Sequence, residues 1–249
     1  GNYYLRAYFD NGDKLGSHEN NECKIDLISQ SFSIISGVIP ENRVDKVLDS
    51  VSENLVDEKT GIVKLLTPAF NKSLNNPGYI MNYPKGIREN GGQYTHAVAW
   101  YIMALIKEGH YNEAYRYYQM INPINRSLNK EQVLKYKVEP YVIAADIYSA
   151  SSFLGHGGWT WYTGSSGWFY NIGVRDILGI QKHGDILNIV PSIPSDWDGF
   201  KVVYKYMNTV YNIEVKRTGI EKIIFDGRVV KSVRLVDDSS MHSVIVDVK

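Results

Sequence analysis

The stretch Pro40–Leu55 reads PENRVDKVLDSVSENL, and its apolar residues recur every three or four positions. Proline is well suited to the first turn of a helix, and this spacing places the apolar side chains on one helical face. The pattern therefore predicts a helix over about 40–55. Its apolar face consists of Val44, Val47, Leu48, Val51 and Leu55.

The segment before this helix predicts another helix over about 24–37, with Gly37 as its stop. Two consecutive helices with a short link form a hairpin. The first fifteen residues are predicted to be extended, with a turn at Asn11-Gly12. The apolar face of the earlier helix is predicted to consist of Ile25, Ile28, Phe32 and Ile35.

Helical spacing continues through the first three quarters of the chain, interrupted by two loops at 57–94 and 152–166. Loops as long as the first are usually functional in a compact domain. In an array of helical hairpins these two loops would lie at opposite ends unless an additional short helix separates them. For both loops to build one site, we therefore predict a short helix at Asn129–Tyr136. The other predicted helices cover about 95–108, 111–121, 139–151 and 167–180.

Near residue 182 the apolar period changes from that of a helix to that of a strand. Asp226-Gly227 is a strong hairpin signal between two of the segments. We predict a mainly α protein, with helical hairpins over 1–182 and a small antiparallel β domain over 183–249. The predicted strands are 185–193, 201–207, 209–217, 220–225, 228–236 and 241–248.

Composition excludes several classes of function. Lys+Arg and Asp+Glu each number 27 in 249 residues, which argues against binding to nucleic acid or to an anionic membrane. Cys23 is the single cysteine, so no intrachain disulfide is possible, and this favours a reducing, cytoplasmic setting. The sequence has no apolar run long enough to span a membrane. Residues Gly1–Tyr4 are neither a signal peptide nor a natural start, so we expect a processed or truncated chain.

The loop Tyr83–His96 reads YPKGIRENGGQYTH and leads into a predicted helix. Gly91-Gly92 would let the backbone approach a ligand closely, and His96 stands at a helix start, which favours anions. One interpretation is that His96 and Arg88 hold a phosphate. The other, equally favoured locally, is that Thr95 caps the helix and His96 is a hydrogen-bonded structural residue.

A second loop, His156–Trp168, reads HGGWTWYTGSSGW and also leads into a helix. Thr163 and Ser165 supply hydroxyl groups and Gly164 an unobstructed backbone N–H, which are donors for phosphate or sugar. The sequence is not a phosphate loop of the nucleotide-binding type, because no Gly-Lys-Ser/Thr follows. A packed loop with capping hydroxyls explains the pattern equally well.

The carboxylates give weaker signals. Glu139, in the segment KVEPY at Lys137–Tyr141, stands at a predicted helix start, where stabilisation of the helix dipole is the favoured explanation. Glu22 and Asp26 lie four residues apart on a predicted helical face, and Asp146 lies in the helix predicted over 139–151. Such carboxylates are usually surface groups, although pairs can do acid/base work. The six His form no metal-binding pattern, and no metal is predicted.

Together, these three motifs resemble glycoside hydrolase family 94, which includes cellobiose phosphorylase, 1,2-β-oligoglucan phosphorylase and the phosphorylase-like region of cyclic β-1,2-glucan synthase. The similarity extends over nearly the whole chain. It also includes RAYFD at Arg6–Asp10, CKID at Cys23–Asp26, IPSDWDGF at Ile193–Phe200 and LVDD at Leu235–Asp238.

The resemblance implies that 1–182 is the C-terminal half of an (α/α)6 catalytic barrel and that 183–249 is a small antiparallel β-sandwich. It assigns phosphate binding to His96, Thr163 and Gly164. It assigns sugar binding to Arg88, Glu89, Glu139 and Trp161. No cofactor is implied, since inorganic phosphate is a co-substrate.

The implied reaction is inverting phosphorolysis. Phosphate attacks the anomeric carbon from the face opposite the leaving sugar, an Asp protonates the departing oxygen, and α-glucose 1-phosphate is released. The family's general acid and a second phosphate-binding Arg belong to a segment upstream of this chain, so no catalytic residue is predicted here. The chain alone is therefore expected to be inactive.

Ala144-Ala145 occupies the region where cellobiose phosphorylases carry a sugar-contacting Gln. This departure argues against cellobiose as the substrate. The residue sequences of the motifs favour β-1,2-glucan or sophoro-oligosaccharides instead. A cellobiose-type specificity, a non-catalytic carbohydrate-binding fragment and a plain inverting hydrolase remain alternatives. Expected partners are oligosaccharide, phosphate and the upstream region in the same or another chain. A homodimer is left open.

Overall fold

The structure is a computed structural model that describes residues 1–161 and 163–249, with only the backbone of Thr163. The chain forms two compact units. The first comprises Gly1–Glu108 and Arg116–Tyr170, and the second comprises Gly109–Tyr115 and Asn171–Lys249.

Helices dominate the first unit. They are α1 (Leu27–Ile35), α2 (Val44–Leu55), α3 (Thr95–Lys107), α4 (Tyr111–Ile121, whose first residues belong to the second unit), α5 (Lys130–Tyr136) and α6 (Thr163–Asn171). A π-helical segment, Ile172–Ile177, continues α6 into the second unit. Among the residues described, no helix is long and apolar enough to cross a membrane.

Short antiparallel strand pairs tie the loops of the first unit together. The pairs are β1 (Ala7–Tyr8) with β2 (Lys14–Leu15), β3 (Ile25–Asp26) with β6 (Leu66–Thr67), β4 (Val56–Asp57) with β5 (Ile62–Val63), and β7 (Gln93–Tyr94) with β8 (Asp146–Ile147). The predicted turn at Asn11-Gly12 is confirmed, because it lies between β1 and β2. The loop predicted over 57–94 therefore contains strands, although each is only two residues long.

The α1–α2 hairpin is confirmed, and all five predicted apolar residues of α2 are buried. The predicted face of α1 is wrong. Its buried side runs through Leu27, Ser31 and Ile34, whereas Phe32 is 42% exposed. Burial of the polar side chains costs little here because they are hydrogen-bonded. The Ser31 hydroxyl donates to the Leu27 carbonyl at 2.9 Å, and the Gln30 amide donates to the Tyr4 carbonyl at 2.9 Å.

The helix predicted over 139–151 is wrong, whereas the short helix predicted at Asn129–Tyr136 is confirmed as α5. Asn129 caps α5 by accepting a hydrogen bond from Gln132 N–H at 3.0 Å. In 139–151 the backbone makes a local turn, with Val142 N–H donating to the Glu139 carbonyl at 3.2 Å, and it otherwise bonds to distant segments. Ala145 N–H donates to the Trp159 carbonyl at 2.6 Å, and its own carbonyl accepts from Thr95 N–H at 2.9 Å. Tertiary pairing has overridden helical spacing there.

Two sheets form the second unit. A three-stranded sheet has the order β15–β10–β9, and a five-stranded sheet has the order β11–β12–β16–β13–β14. The strands are β9 (Ile180–His183), β10 (Ile186–Ile189), β11 (Gly199–Tyr206), β12 (Thr209–Arg217), β13 (Lys222–Phe225), β14 (Arg228–Val230), β15 (Val233–Arg234) and β16 (Met241–Val248).

The predicted β-rich region and the hairpin at Asp226-Gly227 are confirmed. One apolar core receives Leu187 and Val233 from the smaller sheet and Ile213 and Val244 from the larger one, which is the arrangement of a sandwich. Two details differ from the prediction. Strand β9 was not among the predicted strands, and β12 pairs with β16 in parallel, so the larger sheet is not purely antiparallel.

Candidate functional site

The start of α3 is fixed by the strand pair that precedes it. Tyr94 on β7 pairs with Asp146 on β8, and Thr95 N–H donates to the Ala145 carbonyl at 2.9 Å. The cap residue is Tyr94, with no side-chain cap bond, so the alternative in which Thr95 caps the helix is wrong. Thr95 is instead the buried first residue of α3, and His96 is its second.

Aromatic rings surround the imidazole of His96. Its ring centroid lies 4.5 Å from that of Trp100, 6.0 Å from that of Trp168 and 6.1 Å from that of Tyr94. Burial lowers the pKa of His96 below its ordinary value of 6.5, because the charged form is desolvated. The ring is therefore neutral at pH 7. Its Nε2 is buried and makes no hydrogen bond with the described residues, so the other alternative for His96 also lacks support.

The second residue of α6, Gly164, lies against this imidazole. A Cβ built on Gly164 would come within 3.2 Å of His96 Cε1 and 3.4 Å of His96 Nδ1. The edge of the ring that carries these two atoms thus faces the α6 backbone. The imidazole belongs to the first turn of α3 and faces the first turn of α6, so the positive dipole ends of two helices lie near one ring. The backbone of Thr163 begins α6, whereas its side chain lies outside what the structure describes.

Arg88 is held between an indole and a buried carboxylate. Its guanidinium carbon lies 3.2 Å from the centroid of the Trp159 ring, and its Nη1 lies 3.8 Å from Asp146 Oδ1. Trp159 N–H also donates to Asp146 Oδ1 at 3.2 Å. Burial raises the pKa of Asp146, and the Arg88 charge opposes that shift. Asp146, placed by the sequence on a helix, instead lies on β8 and anchors a sugar-binding candidate.

Glycines make this packing possible. A Cβ on Gly158 would lie 2.2 Å from Asp146 Oδ1, so only glycine leaves room for the carboxylate. The interpretation of Gly91-Gly92 as a place of close ligand approach is not supported. A Cβ on Gly92 would lie 2.5 Å from the Arg88 carbonyl oxygen, and one on Gly91 would lie 2.9 Å from Ala69 Cβ. Both glycines accommodate the protein's own chain.

Glu89 follows Arg88, and its carboxylate lies near Tyr79 and Tyr94. Its Oε1 accepts a hydrogen bond from the Tyr79 hydroxyl at 3.4 Å, whereas Oε2 is buried without a partner among the described residues. Burial raises the pKa of Tyr94, and the nearby Glu89 charge adds to the shift. Since Tyr94 stacks on His96, Glu89 connects the Arg88 cluster with the imidazole.

Glu139 and Trp161 are brought together at the surface. Trp161 Nε1 donates to Glu139 Oε1 at 2.9 Å, and this hydrogen bond lowers the pKa of Glu139. The rings of Trp161 and Tyr141 meet edge to face, 6.3 Å apart, and the two residues are 67% and 73% exposed. The prediction that Glu139 begins a helix is wrong, because a turn follows it at Pro140-Tyr141.

Buried polar atoms without partners concentrate around these groups. Native proteins pair nearly all such atoms, so a local excess indicates a place where a polar ligand binds. Within the described part of the chain, the unpaired atoms near the site are Glu89 Oε2, Gln93 Nε2, Thr95 Oγ1, His96 Nε2, Trp100 Nε1, Asp146 Oδ2 and Ser165 Oγ.

Sequence reasoning missed two residues that shape the loop. Asn90 is fully buried, and its amide donates to the carbonyls of Tyr83 and Phe70 at 2.7 and 3.0 Å. Asp146 was interpreted as an ordinary carboxylate.

The predicted pairing of Glu22 with Asp26 on a helix is wrong. Glu22 accepts from the backbone of Asn71 and Lys72, whereas Asp26 caps α1 through the N–H of Ile28.

Residues 1–179 match the family model described as "Glycosyl hydrolase 94 superfamily, catalytic domain", so the chain belongs to that family. The resemblance derived from the motifs is thereby confirmed. The phosphorylases of this family use phosphate as a co-substrate.

Three relatives illustrate the range of the family. The chain is 47% identical over 217 residues to the cyclic beta-(1,2)-glucan synthase NdvB of Rhizobium meliloti (strain 1021), covering 87% of this chain and 8% of that protein. It is 30% identical to the solabiose phosphorylase of Paenibacillus borealis, covering 99% of this chain and 33% of that protein. It is 29% identical to the N,N'-diacetylchitobiose phosphorylase of Vibrio furnissii, covering 99% and 31%. The chain thus spans a third or less of each of these relatives.

Proposed function

We propose that this chain supplies the phosphate cradle and part of the sugar pocket of an inverting glycoside phosphorylase that acts on β-linked glucosides. The observation that supports this most directly is the position of the His96 imidazole beside Gly164, where an added Cβ would lie 3.2 Å from His96 Cε1. Two motifs from different loops meet there at two helix N-termini. A neutral imidazole and helix N–H groups form a fixed set of donors for one anion.

In this proposal phosphate binds beside His96 and Gly164, together with Thr163, while Arg88, Glu89, Glu139 and Trp161 contact sugar. Phosphate is itself the nucleophile, so the chain has to position it and offset its charge rather than supply a base. The general acid, an Asp, comes from a segment outside this chain, in the same or a separate polypeptide. The barrel that both parts would form is an (α/α)6 barrel, and a cytoplasmic location suits this reaction.

The proposed substrate is β-1,2-glucan or a sophoro-oligosaccharide. The 47% identity to a protein named cyclic beta-(1,2)-glucan synthase supports this choice over the 29–30% identity to the two disaccharide phosphorylases. The Ala144-Ala145 pair also supports it, since Ala144 is buried and offers no amide to a cellobiose acceptor.

The test measures release of α-glucose 1-phosphate from sophorose and phosphate, first by this chain and then by the chain mixed with an upstream family 94 fragment that carries the general acid. We expect no release by the chain alone and recovery in the mixture. In the active mixture, His96→Ala and Thr163→Ala should raise the KM for phosphate. Unchanged phosphate dependence in both variants would contradict the assignment.

The other outcomes separate the remaining candidates. Activity of the chain alone would show that the general acid lies within it. Sugar binding without recovery in any mixture would indicate a carbohydrate-binding fragment. Release of free glucose independent of phosphate would indicate a hydrolase, and equal release from cellobiose would overturn the β-1,2 preference.

A further inference from the structure

We infer that Asp146 is a positioning residue, which holds the Arg88 guanidinium in the orientation in which Arg88 meets the sugar. This inference rests on the proposed sugar-binding role of Arg88. Asp146 was assigned no role by the motifs, and it acts through Arg88 and Trp159 rather than by contact with substrate.

The geometry defines the orientation of Arg88 from two directions. The guanidinium carbon lies over the Trp159 ring, 3.2 Å from its centroid, and Asp146 Oδ1 lies 3.8 Å from Nη1. Asp146 is only 1% exposed, and it fixes Trp159 as well by accepting its backbone N–H at 3.2 Å. One carboxylate therefore sets both the guanidinium and the indole on which it stacks.

Stability alone does not explain a carboxylate at this position. Its Oδ2 is buried and has no partner among the described residues, which makes the ionised group costly to bury. Gly158 provides the space that the carboxylate needs. Arg88 itself has a left-handed backbone, with φ of 50°, a conformation that non-glycine residues adopt mainly where their surroundings impose it. The backbone conformation of Arg88 and the burial of the Asp146 carboxylate are both energetically unfavourable. Both are explained if they hold the Arg88 guanidinium in one orientation.

The exposure and the aromatic neighbours of Arg88 are consistent with this role. The Arg88 side chain is 12% exposed, and Tyr83 lies beneath it with its ring centroid 5.7 Å from the guanidinium carbon. Trp159 is 51% exposed. A sugar that reaches the site therefore meets an arginine already oriented by protein groups, so little side-chain entropy is lost on binding.

The experiment compares Asp146→Asn with the unaltered chain by three measurements: the side-chain Nε–H resonance of Arg88, the affinity for sophorose and the affinity for inorganic phosphate. In the unaltered chain the indole should shift the Arg88 resonance upfield. Asn retains an oxygen for Trp159 N–H but removes the charge that attracts Arg88. We expect the resonance to move toward its unstructured value, sophorose affinity to fall about tenfold or more, and phosphate affinity to change less than about twofold.

Asp26→Asn is the matched control. Asp26 is also buried, at 4% exposure, lies 3.8 Å from an arginine (Arg6 Nε), and accepts a backbone N–H. Asn is also an effective helix cap, so α1 should persist. This control should leave the Arg88 resonance and both affinities unchanged. Asp146→Ser gives the same comparison should the Asn variant fail to fold.

The outcomes distinguish the inference from the proposed function. An Arg88 resonance and a sophorose affinity that both survive Asp146→Asn would overturn the inference. A sophorose affinity that falls equally in Asp26→Asn would do the same, because the effect would then be a general loss of stability. If sophorose is bound neither by the unaltered chain nor by its mixture with the upstream fragment, the proposed function fails, and the Arg88 resonance still decides whether Asp146 orients the arginine.

Discussion

The imidazole of His96 lies directly beside Gly164, although the two residues belong to separate loops and separate helices. A side chain at residue 164 would begin 3.2 Å from His96 Cε1. This relationship turns two motifs, each ambiguous alone, into one candidate anion site.

Gly164→Ala should weaken phosphate binding without destabilising the protein. The backbone of Gly164 is helical, so alanine should raise the free energy of unfolding by up to about 1 kcal/mol, while its methyl group forces the imidazole to shift. We expect phosphate affinity to fall about tenfold, measured by calorimetry. Gly167→Ala, on the same helix and with no atom within 4 Å of its Cβ, is the control. Equal phosphate affinities in the two variants would contradict the site.

His96→Gln should alter how stability depends on pH. Burial lowers the pKa of His96 from 6.5, so the unfolded chain takes up its proton more readily than the folded protein. The stability contribution of the neutral ring is complete above 6.5 and is lost as the pH falls toward the lower folded pKa. The unaltered protein should therefore lose free energy of unfolding relative to the variant between about pH 7.5 and about pH 5. Urea unfolding at both pH values measures this, and a gain on acidification would refute the direction.

Gly158→Ala should destabilise the first unit. The added methyl would lie 2.2 Å from Asp146 Oδ1 and 2.4 Å from Oδ2, so the buried carboxylate or the loop must move. Overpacking of this kind typically costs about 1–3 kcal/mol. Chemical denaturation gives the loss, with Gly167→Ala again as the control. A variant as stable as the unaltered chain would show that the Asp146 pocket is looser than described.

Tyr211→Phe should destabilise the second unit by about 1–3 kcal/mol, because it removes two part-buried hydrogen bonds, each of which contributes about 0.5–1.5 kcal/mol. The Tyr211 hydroxyl accepts from Val236 N–H at 2.7 Å and donates to the Val236 carbonyl at 3.2 Å. Tyr204, directly opposite on β11, is partly buried, and its hydroxyl bonds to none of the described residues. Thermal unfolding of Tyr204→Phe should therefore show a smaller effect, and equal losses would assign the effect to ring packing.

Amphipathic spacing predicted α2 and its buried residues correctly, because that helix buries a plain apolar stripe. The same reasoning failed for α1, where Gln30 and Ser31 are buried with their hydrogen bonds satisfied. It also failed over 139–151, where backbone groups that a helix would use for itself bond to Thr95 and Trp159. Periodicity measures hydrophobicity, and it does not detect partners that come from distant segments.

The residues of the candidate site were likewise predicted only in part from the sequence. The residue sequences of the motifs predicted the family and singled out His96, Gly164 and Arg88. They gave no indication that Asp146 supports Arg88, since an aspartate in an apolar segment has no local pattern that distinguishes a buried anchor from a surface group. The meaning of Gly91-Gly92 was also undetermined, because glycine permits close approach without specifying what approaches.

Residue identity and order determined the helical hairpins, the change to strands near residue 182 and the family to which the chain belongs, because these depend on periodicity and on short motifs. Only the tertiary structure decided that the second residue of α3 meets the second residue of α6, and that a buried carboxylate lies beneath Arg88. Those contacts arise from the pairing of β7 with β8 and from the space left by Gly158, which are properties of segments far apart in the chain.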